Sequence, residues 1–265
     1  MKVFKDYEFL AKYVKQTTDL PLYQQLVKKE IESLNVVSVL DIGGGTTSYM
    51  NHLSGKYETT VLDISEESVS NINSKNKILC RFPGANIQGK YDVVSALEVL
   101  EHISQADYEE SLREIKRLSK RFVVISAPFM QDLSGAYVLC KKCNTEFQCE
   151  GHYKSFNMNK IRRLQKHFGK LIKLYFIGKK EENYVVYYAM TNIKHLVRRI
   201  LQKSIKSMYC KPPFTKCPEC NNEIFNEYEI YLTNKKDKSK YLYWDWLKNK
   251  KVAGQFCAVY EKDML

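Results

Sequence analysis

The chain has 265 residues, 44% apolar and 27% charged, and its 42 Lys and Arg against 30 Asp and Glu give a net charge of +12. That composition excludes a disordered or fibrous polymer, and a chain of this length buries a sizeable core. No run approaches the length of apolar text that crosses a membrane, and the opening MKVFKDYEFLAKYVKQ lacks the unbroken apolar stretch of an export signal, so the expected setting is cytoplasmic.

The charge is unevenly spread. Residues 1–140 carry 16 Lys and Arg against 18 Asp and Glu, whereas residues 141–265 carry 26 against 12. A near-neutral front half suits a small-molecule site, and a basic back half suits an anionic partner.

In chain order, the first clear element is VVSVL at 36–40, short, apolar and β-branched as a buried parallel strand should be. It runs into Asp41-Ile42-Gly43-Gly44-Gly45 and then SYMNHLSGK, which predicts a strand, a glycine-rich turn and a helix. That order brings backbone N–H groups up to a nucleotide-like ligand, and glycine is needed where a Cβ would block the approach. A second apolar run, TTVLD, ends at Asp63, where an acid at a strand tip can accept both hydroxyls of a ribose. Ser48 stands where the dinucleotide fingerprint has its third glycine, which argues against a pyrophosphate-binding turn.

KYDVVSALEVLEHI follows at 90–103. With VLDIGGGTTSY and VLDISEESV before it, this text resembles, in order, the cofactor motifs of class I S-adenosylmethionine-dependent methyltransferases, whose fourth strand reads close to FDVVxxxEVLEHI. The resemblance covers roughly residues 30–130. It implies a Rossmann-like α/β fold, with a seven-stranded, mostly parallel sheet and helices on both faces, and S-adenosylmethionine as methyl donor. On the matched positions it implies that Asp41, Gly43, Gly44 and Gly45 shape the pocket for the methionine end. Asp63 would hold the ribose, Ile64 would pack on the adenine, and Leu97 and Glu98 would border the methionine moiety and the acceptor. The third-strand text KILCRFPGANI is short and lacks the acid that often meets the adenine amine, so Asn86 becomes the candidate there.

SQADYEESLREIKRLS predicts a helix capped by Ser104 or Asp107, and RFVVISAPF at 121–129 predicts the fifth strand. His102 is a candidate general base, because imidazole is the natural proton acceptor near neutral pH. GHYKSF at 151–156 resembles a GHxxxF-like turn that many of these methyltransferases place over the active site, which makes His152 the alternative base.

Two C-x-x-C units, Cys140/Cys143 and Cys217/Cys220, are each followed by Asn, a residue that tolerates left-handed backbone. Matched units of this kind in a reducing compartment predict one structural zinc ion held by four thiolates. A local site of Cys140, Cys143, Cys149 and His152 is the competing arrangement, and Cys210 is a further spare thiol. Cys80 and Cys257 lie in apolar strand-like text and are expected to be buried.

MNKIRRLQKHFG predicts a helix ending at Gly169, LIKLYFIG and NYVVYYAM predict strands, and GQFCAVYEK predicts the last strand of the sheet. Residues 193–208 predict an amphipathic helix whose basic side could meet phosphates of nucleic acid or a membrane surface. The expected division is a cofactor-binding core at 1–135 and a zinc-ribbon and substrate-lid region at 136–265 that also supplies the last strands. The leading functional expectation is methylation, at oxygen, of a small-molecule or saccharide-type acceptor. An RNA-directed methyltransferase and a non-catalytic cofactor-binding protein with a zinc docking module are the alternatives.

Overall fold

The computed structural model describes residues 20–45, 48–84, 86–131, 133, 137–178, 214–225 and 253–262. The front half alternates strands with short helices. In order come α1 (Leu22–Ser33), β1 (Ser38–Ile42), a single 3-10 turn (Tyr49–His52), β2 (Glu58–Asp63), α2 (Glu66–Asn71), β3 (Asn76–Leu79), β4 (Tyr91–Leu97), α3 (Tyr108–Leu118) and β5 (Ser119–Pro128). The back half adds β6 (Tyr137–Leu139), β7 (Glu146–Gln148), α4 (Met158–Arg163), α5 (Gln165–Phe168), β8 (Lys170–Gly178), β9 (Phe214–Lys216), β10 (Glu223–Phe225) and β11 (Ala253–Glu261).

Seven strands form one sheet in the order β3-β2-β1-β4-β5-β11-β8. The pairs β1 with β2, β1 with β4, β2 with β3 and β4 with β5 are parallel, and β11 runs antiparallel to β5. Strand order reverses between β1 and β4, so their carboxyl ends open a crevice of the kind that receives ligands in α/β sheets. Val39, Leu40, Val61, Val93, Val94, Val123, Val124 and Val259 are 1% exposed or less, which is why these strands read as continuous apolar text. Each such side chain contributes about 1.5–3 kcal/mol by leaving water. Val27 and Ile31 of α1 complete one side of this core, and the buried Glu30 of α1 accepts from Lys173 Nζ at 2.5 Å and Tyr175 Oη at 2.7 Å on β8.

The chain divides into two compact units. One comprises residues 6–131, 153–177 and 255–265, and the other comprises 1–5, 132–152 and 178–254. In the second unit β6 pairs with β7 and β9 with β10, each as a short antiparallel hairpin.

Three local expectations need correction. SYMNHLSGK forms one 3-10 turn in place of a helix: Ser48 Oγ accepts from Met50 N, and the Tyr49 N–H is taken by Gln24 Oε1 at 2.8 Å. MNKIRRLQKHFG is two short helices, because at Leu164 the N–H is shared between the carbonyls of Lys160 and Ile161. Gly169 does end that segment, with φ 90°, where a Cβ would strike the Glu261 backbone. Asp107 precedes α3 but its carboxylate makes no capping bond; it accepts from Arg81 at 2.6 Å and from Ser104 Oγ at 2.9 Å instead. The expected strand NYVVYYAM and helix 193–208 lie outside the described residues. Among those residues, no helix is long and apolar enough to cross a membrane.

Candidate cofactor site and cysteine cluster

At the end of β1 the chain turns through Gly43 and Gly45, whose φ values of 71° and 64° are costly for residues with a Cβ. Gly43 N donates to Leu62 O at 2.7 Å and Gly45 N to Asp63 Oδ2 at 2.8 Å, so the turn is laid against the tip of β2. A Cβ on Gly43 would meet Val99 at 2.5 Å and one on Gly44 would meet Val61 at 2.5 Å, whereas one on Gly45 would meet nothing within 4 Å. The turn is therefore packed closely at Gly43 and Gly44 and, among the described residues, open at Gly45.

Asp63 Oδ1 accepts the Ser65 N–H at 2.8 Å. Each oxygen of this carboxylate is thus oriented by one backbone donor, and a carboxylate oxygen can accept a second bond from a ligand hydroxyl. Ile64 beside it is 43% exposed, an apolar face presented to solvent at the strand tip. Asn86 is exposed and accepts from Gln88. Cys80, expected as a buried thiol, is only partly covered; Cys257 is buried as expected.

Asp41 sits deeper. It is 3% exposed, accepts from Ser95 Oγ at 2.6 Å, and lies next to Tyr49, whose hydroxyl is 2.6 Å from the same serine oxygen. Burial pushes its carboxyl up to about 7, against the opposing pull of the Ser95 and Tyr49 hydrogen bonds. Ser95 and Tyr49 carry no motif of their own; the sequence signal was a serine interrupting the apolar text of β4.

At the end of β4, Leu97 is 7% exposed, and Glu98 after it takes φ 57°. A non-glycine residue there costs about 1–3 kcal/mol and clusters at functional sites. Ser126 on β5 holds it twice, accepting from Glu98 N at 3.0 Å and donating through Oγ to Glu98 Oε1 at 2.8 Å. Burial raises the Glu98 carboxyl above its ordinary range, offset in part by Ser126 and Gln255. Glu101 is fully buried, and burial and then the charge of Glu98 raise its carboxyl well above the usual range. Among the described residues, no hydrogen-bond donor reaches either of its oxygens. His102, with one ring nitrogen within 4.8 Å of an oxygen of that carboxylate, donates its backbone N–H to Val99 O at 2.9 Å.

Lys154 braces this turn. Its Nζ donates to the carbonyls of Leu100 and Ile103, sits 4.3 Å over the Tyr108 ring, and counters the Glu101 charge. Burial draws its ammonium down to about 8. His152 belongs to the second unit, where its N–H donates to Gln148 Oε1 at 2.9 Å. Burial pulls its imidazole down to about 4, so it is neutral at physiological pH.

The two C-x-x-C units meet. Cys140 Sγ lies 3.6 Å from Cys220 Sγ, Cys143 Sγ lies 3.5 Å from Cys217 Sγ, and all four sulfurs fall within 4.8 Å of one another. A tetrahedron of zinc–sulfur bonds about 2.3 Å long sets its sulfurs about 3.8 Å apart, so the cluster fits such an ion. Asn144 and Asn221 adopt φ 54° and 56°, returning their N–H groups to Cys140 O and Cys217 O at 2.8 and 3.0 Å. Hydrogen bonds from Thr145 draw the Cys143 thiol down to about 6. Cys220, despite the Asn222 N–H, is pushed up to about 12 by desolvation and the neighbouring sulfurs. Four sulfurs this close cannot all ionise unaided, and a divalent cation removes that conflict. Cys149 is buried outside this group of four.

Residues 8–169 match the model of a family described as "Methyltransferase domain". Comparison with curated proteins gives no sequence match. Among solved structures, a SAM-dependent methyltransferase from Archaeoglobus fulgidus is similar with a TM-score of 0.50 at 16% identity, covering 97% of this chain and 100% of that one. Haemonchus contortus phosphoethanolamine N-methyltransferase 2, solved with S-adenosyl-L-methionine, also gives 0.50 at 11% identity, over 97% of this chain and 56% of that one. Magnesium protoporphyrin IX methyltransferase from Synechocystis, with bound SAH, gives 0.46 at 18% identity, over 64% and 88%. With the family model matched over more than half of its length, the chain belongs to the methyltransferase domain family, and its seven-stranded sheet has the fold of the S-adenosylmethionine-dependent methyltransferase from Archaeoglobus fulgidus.

Proposed function

We propose that the chain methylates a small-molecule or saccharide-type acceptor at oxygen. Asp41, Gly43, Gly44, Gly45, Asp63, Ile64, Asn86, Leu97 and Glu98 would form the cofactor site. The observation that supports the cofactor site is the Asp63 carboxylate, oriented by the N–H groups of Gly45 and Ser65 beside the glycine turn, and the near-neutral front half supports a small-molecule acceptor. The bound cofactor supplies an electrophilic methyl group on a cationic sulfur. The protein's part is to align the acceptor oxygen for in-line attack, to exclude water and to receive the acceptor's proton. His102 and His152 are the candidate proton acceptors; burial keeps His152 neutral at physiological pH and at the same time weakens it as a base.

In the same reading Cys140, Cys143, Cys217 and Cys220 hold one structural zinc ion as thiolates, which suits a reducing, cytoplasmic setting. Residues 1–135 form the cofactor-binding core, and 136–265 carry the zinc element and the closing strands. Asp63→Ala tests the cofactor site: calorimetric affinity for S-adenosylmethionine should fall at least tenfold, by the loss of charged hydrogen bonds worth about 1.5–3 kcal/mol each. Unchanged affinity would reject it.

A further inference from the structure

We propose that Tyr23, on the first turn of α1, is a cofactor-binding residue whose hydroxyl donates to the carboxylate at the amino-acid end of S-adenosylmethionine. This rests on the cofactor site described above and adds a residue that the strand-tip motifs do not contain.

The placement comes from a buried amide. Gln24 is 6% exposed; its Oε1 accepts the Tyr49 N–H at 2.8 Å and its Nε2 donates to the Tyr23 hydroxyl at 3.3 Å. One side chain thereby ties α1 to the segment leaving the glycine turn and holds the Tyr23 hydroxyl beside that segment. Gln24 uses an acceptor position of the hydroxyl and leaves its proton to be donated elsewhere. Tyr23 is half-buried there, and Glu98, Asp41 and Glu101 all act on it electrostatically. Burial first, and then these acids, keep the phenol protonated and therefore a donor.

The ligand's chemistry requires such a group. Its amino-acid end carries an ammonium and a carboxylate next to a cationic sulfur. The carboxyls at these strand ends suit the two cations, and any of them that is ionised repels the carboxylate. A neutral hydrogen-bond donor held among them resolves that conflict. Tyr260 shows the contrasting case of a structural phenol, fully buried with its hydroxyl donated to Ile161 O at 2.9 Å.

Calorimetric titration of the full chain with S-adenosylhomocysteine and with 5′-methylthioadenosine, which lacks the amino-acid end, tests the assignment. Tyr23→Phe should weaken S-adenosylhomocysteine about tenfold, as loss of a bond to a charged group does, and leave methylthioadenosine within about twofold. Gln24→Met, which removes the orienting amide donor, should show the same selectivity. Equal losses for both ligands, or no loss for either, would overturn the role of Tyr23 and leave the cofactor site standing. Failure of the unaltered protein to bind either ligand would overturn the cofactor site itself.

Discussion

Asn144 and Asn221 occupy the same left-handed conformation, at φ 54° and 56°, and each returns its N–H to the carbonyl of the first cysteine in its unit. The two knuckles are thus copies in backbone geometry as well as in sequence. Replacing Asn144 by Val forces a β-branched residue into that region, at a cost of about 1–2 kcal/mol, whereas Asn144→Gly should be nearly neutral. The readout is zinc retention against a competing chelator. Asn144→Val should release metal faster than wild type, Asn144→Gly at a similar rate, and Cys217→Ser should hold no stoichiometric zinc. Equal zinc content in wild type and Cys217→Ser would remove the four-cysteine site.

Asp63 is expected to divide nucleoside recognition from folding. Asp63→Asn keeps an acceptor for the Gly45 or Ser65 N–H but loses the charge, so it should bind cofactor more weakly than wild type and more tightly than Asp63→Ala. Melting temperatures of the ligand-free proteins should follow the same order with smaller gaps. A rank order reversed in calorimetry would mean that Asp63 serves the turn and not the ribose.

Asp41 gives the stability a pH dependence of known sign. Its folded-state value of about 7 lies above the 3.8 of an unconstrained carboxyl. The folded state therefore binds this proton more tightly, and the corresponding stabilisation is complete below the unfolded value. It is lost as pH rises toward and through 7. Urea denaturation at pH 5 and pH 8 should show wild type losing stability relative to Asp41→Asn by more than about 1 kcal/mol. A constant difference between the two proteins across that window would refute the buried proton.

Lys154 and Glu101 should behave as a charge pair. Lys154→Met removes the cation whose charge favours the ionised Glu101 carboxyl and whose Nζ holds the Leu100 and Ile103 carbonyls, and should destabilise the protein. Adding Glu101→Gln should recover a substantial part of that loss, and Lys154→Arg should retain most of the stability. A double-mutant cycle by urea denaturation measures the coupling; strictly additive effects would mean that Lys154 acts only through the carbonyls of Leu100 and Ile103.

The parallel strands were legible because the centres of β1, β2, β4 and β5 are buried and carry short runs of Val, Ile, Leu and Ala between polar ends. The cysteine knuckles were legible for a different reason: ligand spacing and the Asn that follows each unit are local requirements written within a few residues. What remained hidden depends on distant partners. Nothing near Tyr49 announces that Gln24 takes its N–H and turns a helix into one 3-10 turn. Ser95 and Ser126 read as neutral interruptions of strands until the fold brings them against Asp41 and Glu98. Lys154 reads as one more surface cation in a basic half, yet it is 7% exposed and braces the turn after β4.

The bridge between Phe129 and Phe156, reinforced by the 2.7 Å bond from Met130 N to Phe156 O, joins the two points where the chain leaves and rejoins the cofactor-binding unit. A loop clasped at its neck obeys a particular economy of length. Once the neck is shut, doubling the enclosed segment adds only about 0.6 kcal/mol of closure entropy. The neck therefore tolerates length in the segment it encloses, and in this chain that segment carries Cys140 and Cys143, whose sulfurs meet those of Cys220 and Cys217.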